Sequence, residues 1–200
     1  MVINDQYVYD GLFIHNRFAY KYFKENVNPS GDIVIFRAPM NVTDNLIDLE
    51  DSLQHDFIYS DDALNFCWEI PNLGPLGAVA FQRLFNTYIA NALHSIINQP
   101  VEIDGDDIMV HVEQEVKNAE TGKEEIQKIK KKASVSITYS KDNIAIGHTG
   151  INIDTGKFAP NFAFSTKMND EQIKELCINI VHGFYNLTHD LFIATTKVIV

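Results

Sequence analysis

Apolar residues along the chain fall into runs whose spacing changes, and those changes mark the elements. "GDIVIFRAP", bounded by Gly31 and Pro39, reads as a buried strand ending at Arg37. "ALNFCWEI", stopped by Pro71, reads as a second strand. From Gly74 onward, apolar positions 76, 79, 80, 84, 88, 92 and 96 keep helical spacing until Pro100 ends the pattern. That stripe is wide, which predicts a helix lying on a sheet. "VEIDGDDIMVHVEQEV" alternates around an Asp-Gly pair, a strong short-range hairpin signal. The stretch from Glu113 to Lys131 is charged and lacks an apolar period, so it reads as an exposed hairpin tip or excursion. Two apolar-rich runs, 133–139 and 144–153, flank the polar turn Ser140-Lys141-Asp142-Asn143 and predict a strand pair. Asn169, with Gln172 three residues later, predicts a capped helix that runs to about Lys197. Mixed strands with two long helices set apart, and no repeat or linker, predict one α+β domain over residues 1–200. Its sheet should be mixed and largely antiparallel, with the long helices packed on it.

Composition narrows the functional classes. An apolar fraction of 46% with 22% charged residues belongs to a soluble globular chain. No run approaches eighteen uncharged apolar residues, and the acid-bearing start "MVINDQYVYDG" lacks a signal peptide's basic and apolar regions. The expected location is therefore the cytoplasm, with no membrane partner. Cys67 and Cys177, far apart and in apolar surroundings, read as buried free thiols. The net charge is −11, and eight acids without a lysine or arginine lie between Ala38 and Gln82. That argues against nucleic acid, whose phosphates need clustered Lys and Arg. The expected partner is a small-molecule ligand, and a homo-oligomer is compatible with the chain.

The candidate chemistry gathers near residues 131–154. Lys132 enters a strand and can turn its ammonium toward a phosphate or carboxylate; it also reads as the end of the solvated run Lys128 to Lys132. His148, Gly150 and Asn152 stand at even offsets, so on a strand they share one face. Gly147 and Gly150 leave room for a ligand or another backbone, or else for a bulge. In "TDNLIDLED", Asp48, Glu50 and Asp51 form, with Asp44, a cluster able to hold Mg²⁺ through carboxylates and water, or simply a solvated turn. Asp107, leaving the Asp-Gly turn, is the acid best placed to meet a ligand. Only three arginines exist, Arg17, Arg37 and Arg83, and Arg37 ends a strand. No H-E-x-x-H, Cys-x-x-Cys, G-x-S-x-G, Walker loop or G-x-G-x-x-G occurs.

The ordered set "FRAPMNVTDNLIDLED", "GDDI", "KASVSIT" and "IGHTGINI" resembles domain-of-unknown-function family 366, an uncharacterised and mostly archaeal group. That family is similar in fold to the catalytic domain of biotin and lipoate protein ligases, which is related to class II tRNA synthetases. The resemblance implies that Lys132 matches the lysine contacting the acyl-phosphate, Asp107 the acid of an Asn-Asp pair, and Asn152 the asparagine of the last strand. It also implies ATP and Mg²⁺ as cofactors. The arginine- and glycine-rich loop of those ligases is replaced here by "FRAPMNVTDN", with one arginine and no glycine.

Two functions follow as expectations. One is an acyl- or adenylyl-handling ligase or transferase acting on a small carboxylate, with Lys132 and Asp107 catalytic and Arg37, His148, Gly150 and Asn152 binding the ligand. The other is a non-catalytic small-molecule-binding or assembly module that kept the fold without the nucleotide loop.

Overall fold

The computed structural model describes residues 2–3, 7–15, 17–23, 28–54, 56–117 and 124–197. Its strands are β1 (Val2–Ile3), β2 (Asp32–Val42), β3 (Ile58–Pro71), β4 (Val101–Asp104), β5 (Asp107–Lys117), β6 (Glu124–Lys132), β7 (Ser134–Lys141) and β8 (Ile144–Asp154). Its helices are α1 (Leu12–His15), α2 (Phe18–Phe23), α3 (Leu49–Gln54), α4 (Pro75–Ile97) and α5 (Asp170–Thr196). The strands form two sheets rather than one. A five-stranded sheet has the order β1-β2-β3-β8-β7, and a three-stranded sheet the order β4-β5-β6. Only β1 runs parallel to its neighbour; every other pair is antiparallel.

Period two sorts the large sheet into its faces. Ile33, Ile35, Leu64, Phe66, Trp68, Ile151 and Ile153 point to one side, where they pack under α4 and α5. Val34, Phe36, Ala38, Cys67 and Ile146 point to the other, under Tyr9, Phe13, Ile14 and Phe18 from the N-terminal segment. His148 and Asn152 have the parity of Ile146 and belong to this second face.

β2 continues past Arg37 to Val42, because Pro39 sits where the register with β3 shifts, between Ala38 and Met40. A proline donates no ladder hydrogen bond, and a bulge asks for none. Its carbonyl accepts from Tyr9 N at 2.9 Å, and Asn41 N donates back to the Tyr9 carbonyl at 2.9 Å.

α4 begins at Pro75 and ends on Asn98 in the left-handed conformation. The apolar positions read as its stripe point largely the wrong way: Leu76, Val79, Leu84 and Tyr88 are exposed. The core stripe is Phe81, Phe85, Ile89 and Leu93, four apart, with Ala78 and Ala90 beside it. The helix is apolar on two sides, and the side with the larger aromatic content won the sheet. Tyr88 instead covers α5, over Gly183, where an added Cβ would come within 2.0 Å of its ring. The capping box at Asn169 and Gln172 starts α5.

The charged stretch is part of a regular hairpin. β5 and β6 pair from Met109↔Lys132 to Lys117↔Glu124, with Glu113, Glu115 and Lys128 exposed; its tip lies outside the described residues. Both cysteines are free, Cys67 buried and Cys177 half-buried. Among the described residues no helix is long and apolar enough to cross a membrane.

The tightest packing of the large sheet is at Gly147, where a Cβ would lie 2.1 Å from the Trp68 ring. Trp68 is fully buried and has no room to retreat. Gly147→Ala should therefore lower stability by about 1–3 kcal/mol through overpacking. Urea denaturation checks this, an unchanged midpoint being the contrary result.

Candidate functional site

The chain passes from the small sheet to the large one at a single residue, Ala133, between β6 and β7. Its amide donates to the Ile108 carbonyl at 2.8 Å, and its carbonyl accepts from Asn152 N at 2.9 Å. The Ser134 hydroxyl accepts from Ile108 N at 2.9 Å. Beside this corner, Lys132 is held through its backbone by the segment after β8: its amide donates to the Phe162 carbonyl, and its carbonyl accepts from Phe164 N, both at 2.8 Å. The corner turns the Lys132 side chain into a cavity of about 520 Å³. There Nζ meets Asp107 Oδ1 at 2.8 Å, both side chains being about one-third exposed.

Asp107, Lys132, His148 and Asn152 all line this one cavity. His148 is part of its rigid floor. The ring stacks on Tyr9 at 3.9 Å and 17°, and Nε2 lies 2.9 Å from Asn65 Oδ1. The Asn65 amide NH₂ donates to the carbonyls of Ala38 and Ala63, which leaves Oδ1 for the ring. Nε2 therefore carries the proton. Burial pushes the His148 pKa down to about 3, so the imidazole stays neutral across the physiological range. Asn152 is 5% exposed. Its backbone is fully used, the carbonyl accepting from both Thr166 N and Oγ1, yet its side-chain Oδ1 is buried with no hydrogen-bond partner.

The walls are acidic. Asp48, Glu50, Asp51, Asp56, Asp106 and Asp107 line the cavity, against Lys132 as the one Lys or Arg among the lining residues. Asp106 also meets Arg83 of α4 at 3.5 Å. Burial raises the Asp107 carboxyl above the usual range, and the Lys132 contact only partly opposes it. Asp51 is raised by burial first and then by Asp48 and Asp56, with Lys132 pulling the other way. Asp48 caps α3, Oδ1 accepting from Glu50 N at 2.8 Å and Asp51 N at 3.2 Å. Among the described residues no group of three or more His, Cys, Asp or Glu is arranged to hold a metal, so Asp48, Glu50 and Asp51 form no ready metal cage.

Two expected ligand-binding residues stand outside the cavity. Arg37 has the parity of Ile33 and Ile35 and faces the helices. It clasps Asp62 at 2.7 Å and Asp170, the first residue of α5, at 2.8 Å. The space above Gly150 is filled from within: a Cβ there would meet Met40 Sδ at 2.5 Å. At Gly147 the occupant is Trp68. Neither glycine leaves room for a ligand.

The sequence reading missed Tyr9, Asn65 and the aromatic rim of Phe57, Phe158 and Phe162, each more than half exposed. It also missed a polar network under the floor. Ser136 Oγ accepts from Gln82 and Asn86 of α4 at 2.8 and 3.0 Å and lies 3.1 Å from Thr149 Oγ1. The available signal was polar residues inside apolar runs, Asn65 in "LNFCW" and Gln82 and Asn86 in the helix.

The chain belongs to the family described as Domain of unknown function (DUF366), which matches it over residues 1–199. It is similar to a protein of unknown function from Pyrococcus horikoshi, with 22% identity, a TM-score of 0.76, and coverage of 100% of this chain and 97% of that one. It shares its fold with one chain of a bipartite lipoate protein ligase system from Thermoplasma acidophilum, at 14% identity and TM-score 0.55, covering 90% and 78%. A biotin protein ligase from Aquifex aeolicus, in complex with biotin and ATP, has the same fold at 13% identity and TM-score 0.52, covering 94% and 72%. No curated protein matches the chain in sequence. The fold is thus that of biotin and lipoate protein ligases, α+β with antiparallel sheets and packed helices.

The buried imidazole has a consequence for stability. Its folded pKa of about 3 lies below the ordinary value near 6.5, so the unfolded chain binds the proton first as pH falls. The stability linked to neutral His148 is complete above about pH 6.5 and is lost progressively toward pH 3, at up to about 1.4 kcal/mol per unit. His148→Gln should flatten that slope relative to the unmodified protein, whatever its effect at pH 7. Denaturation midpoints at pH 7, 6, 5 and 4 for both proteins measure it; parallel curves would contradict the assignment.

Proposed function

We propose that the protein is a cytoplasmic enzyme of ligase or transferase type that handles an acyl or adenylyl group of a small carboxylate in the cavity beside Lys132. One observation carries this reading: Lys132, Asp107 and Asn152, which the sequence resemblance singles out together, line the same cavity. They come from three strands of two sheets, and the Ala133 corner brings them together. An ammonium whose partner is a half-buried carboxylate can exchange that partner for an acyl-phosphate oxygen as charge develops there.

The donor set sets limits on the nucleotide. ATP, when bound, supplies the adenylyl group and releases pyrophosphate. A single lysine suits the one negative charge of an acyl-adenylate much better than the charge of a free triphosphate. Asp51 and Glu50, which are free of ion pairs among the described residues, would hold Mg²⁺ through water rather than in a closed cage. The fold relative from Aquifex aeolicus, in complex with biotin and ATP, supports trying ATP first.

A second reading has its own observation. Arg37, the only arginine in the segment that replaces the nucleotide loop, is tied to Asp62 and Asp170 away from the cavity. That favours a binding module without adenylation.

The two readings separate by carboxylate-dependent exchange of labelled pyrophosphate into ATP with Mg²⁺, across a panel of short and ring-bearing carboxylic acids. The enzyme reading expects exchange with at least one acid and a ten- to hundredfold loss in Lys132→Ala, the worth of a charge-assisted hydrogen bond of about 1.5–3 kcal/mol. Lys131→Ala should be nearly silent, because residue 131 points to the other face of β6. Ligand binding without exchange would favour the binding module, and equal losses in both variants would return Lys132 to a general surface role.

A further inference from the structure

The ligase reading uses Asp51 and Glu50 for Mg²⁺ but leaves the wider charge imbalance of the cavity unexplained. Its charged lining is one-sided: six carboxylates against the Lys132 ammonium among the described residues. Lys132 is already engaged with Asp107, and Arg83, which also donates to Gln82 Oε1, reaches Asp106 alone of the six acids among the described residues. The remaining acids, Asp48, Glu50, Asp51 and Asp56, have no ion pair among the described residues. They all come from α3 and its flanks, on one wall.

Asn152 Oδ1 is enclosed with no donor. A buried carbonyl oxygen deprived of any partner is costly, and proteins seldom leave one so. Asn152 is one of the lining residues, but its Oδ1 is enclosed and takes an N–H from a bound molecule only if the side chain turns. Between the polar groups the surface is apolar, with Ile14, Val42, Ile47, Ile58, Val135 and Ile137 beneath and three exposed phenylalanines at the rim. The volume, about 520 Å³, falls in the range that encloses a whole small molecule.

We propose that this cavity binds a small amphipathic amine, its ammonium against the α3 carboxylates and its apolar body on the isoleucine and valine floor. The inference rests on reading the cavity as the substrate site and names a second substrate class for it. Asp51 is pushed up by burial and by its acidic neighbours, the response of a wall short of positive charge. An ammonium adds positive charge and N–H donors in one group, whereas an alcohol adds one neutral donor and a carboxylate adds neither.

Isothermal titration of the full chain at low salt and without nucleotide tests this, using 2-phenylethylamine, 2-phenylethanol and 3-phenylpropionate, which share one apolar body. The amine should bind at least tenfold more tightly than the alcohol, and the carboxylate most weakly. Asp51→Asn, isosteric and on an exposed short helix, should cut amine affinity about tenfold and leave the alcohol unchanged. The comparison among ligands is made on the unmodified protein and so does not depend on that variant folding. Equal affinity for amine and alcohol, preference for the carboxylate, or no binding of the amine would overturn the proposal. Tighter binding of Nα-acetyl-lysine amide than of 2-phenylethylamine would move the occupant to a protein lysine and overturn it as stated. Amine preference without pyrophosphate exchange would sink the ligase reading alone; exchange without amine preference would sink this inference alone.

Discussion

Everything that could act in this protein depends on how Ala133 is hydrogen-bonded. Its amide donates to Ile108 in the small sheet and its carbonyl accepts from Asn152 in the large one. The residue is fully buried, and a buried backbone group left without a partner is expensive, so neither bond can be given up cheaply. The two bonds lock the sheets at one relative position. They also determine what stands on either side. Lys132 emerges at the mouth of the cavity, and Ser134 begins the edge strand that forms part of its wall. A wider corner would separate Lys132 from Asp107, and a tighter one would close the cavity.

Charge and shape in the cavity come from different parts of the chain. The floor is made by long central strands and by Tyr9, stacked on a neutral His148 whose tautomer Asn65 sets. These groups are buried and mutually hydrogen-bonded, and their arrangement is closely packed. Four of the six acids come from α3, six residues long and with none of its residues buried, and from the residues beside it. A ligand therefore meets a fixed apolar shape and a less anchored acidic wall. Low burial is the usual mark of segments that open locally at small free-energy cost.

The elements were legible in the sequence where punctuation was strong. Gly74-Pro75 and Pro100 bracket α4, the Asp-Gly turn joins β4 to β5, and the Asn169 capping box starts α5. The division into two sheets was not legible: the break at Ala133 carries no glycine or proline, and the change from the lysine run to the apolar run there reads as the start of a strand, not as a change of sheet. The inner face of α4 was misread because the helix is apolar on two sides, and only the α5 contact through Tyr88 and Gly183 decides between them. For the cavity, Lys132, Asp107 and Asn152 could be grouped through the resemblance and the Asp-Gly turn. Arg37 was placed wrongly although period two already assigned it: it is odd-numbered with Ile33 and Ile35, and these face the helices. Tyr9 could not be found, since it reaches the site through a tertiary stack on a residue 139 positions away.

The balance between the acids and Lys132 decides which chemistry the fold can support here. If anion binding dominated, a second cation would be expected near Lys132, and Arg37 is the arginine that the segment replacing the nucleotide loop offers. Its guanidinium instead closes β2 and β3 onto the start of α5 through Asp62 and Asp170. A bidentate pair with a partly buried carboxylate is not surrendered for a weak ligand contact, so Lys132 stays the one Lys or Arg lining the cavity among the described residues. Asp107 in turn is held above its usual pKa by burial even with Lys132 at 2.8 Å. Desolvation outweighs the pairing, which means that the ion pair is not at its electrostatic optimum. A lysine in that condition is readily drawn to an incoming anion, while the carboxylate it leaves behind is drawn to an incoming proton or amine. On the proposed ligase reading, this pair is where an activated acid and a base would both be met.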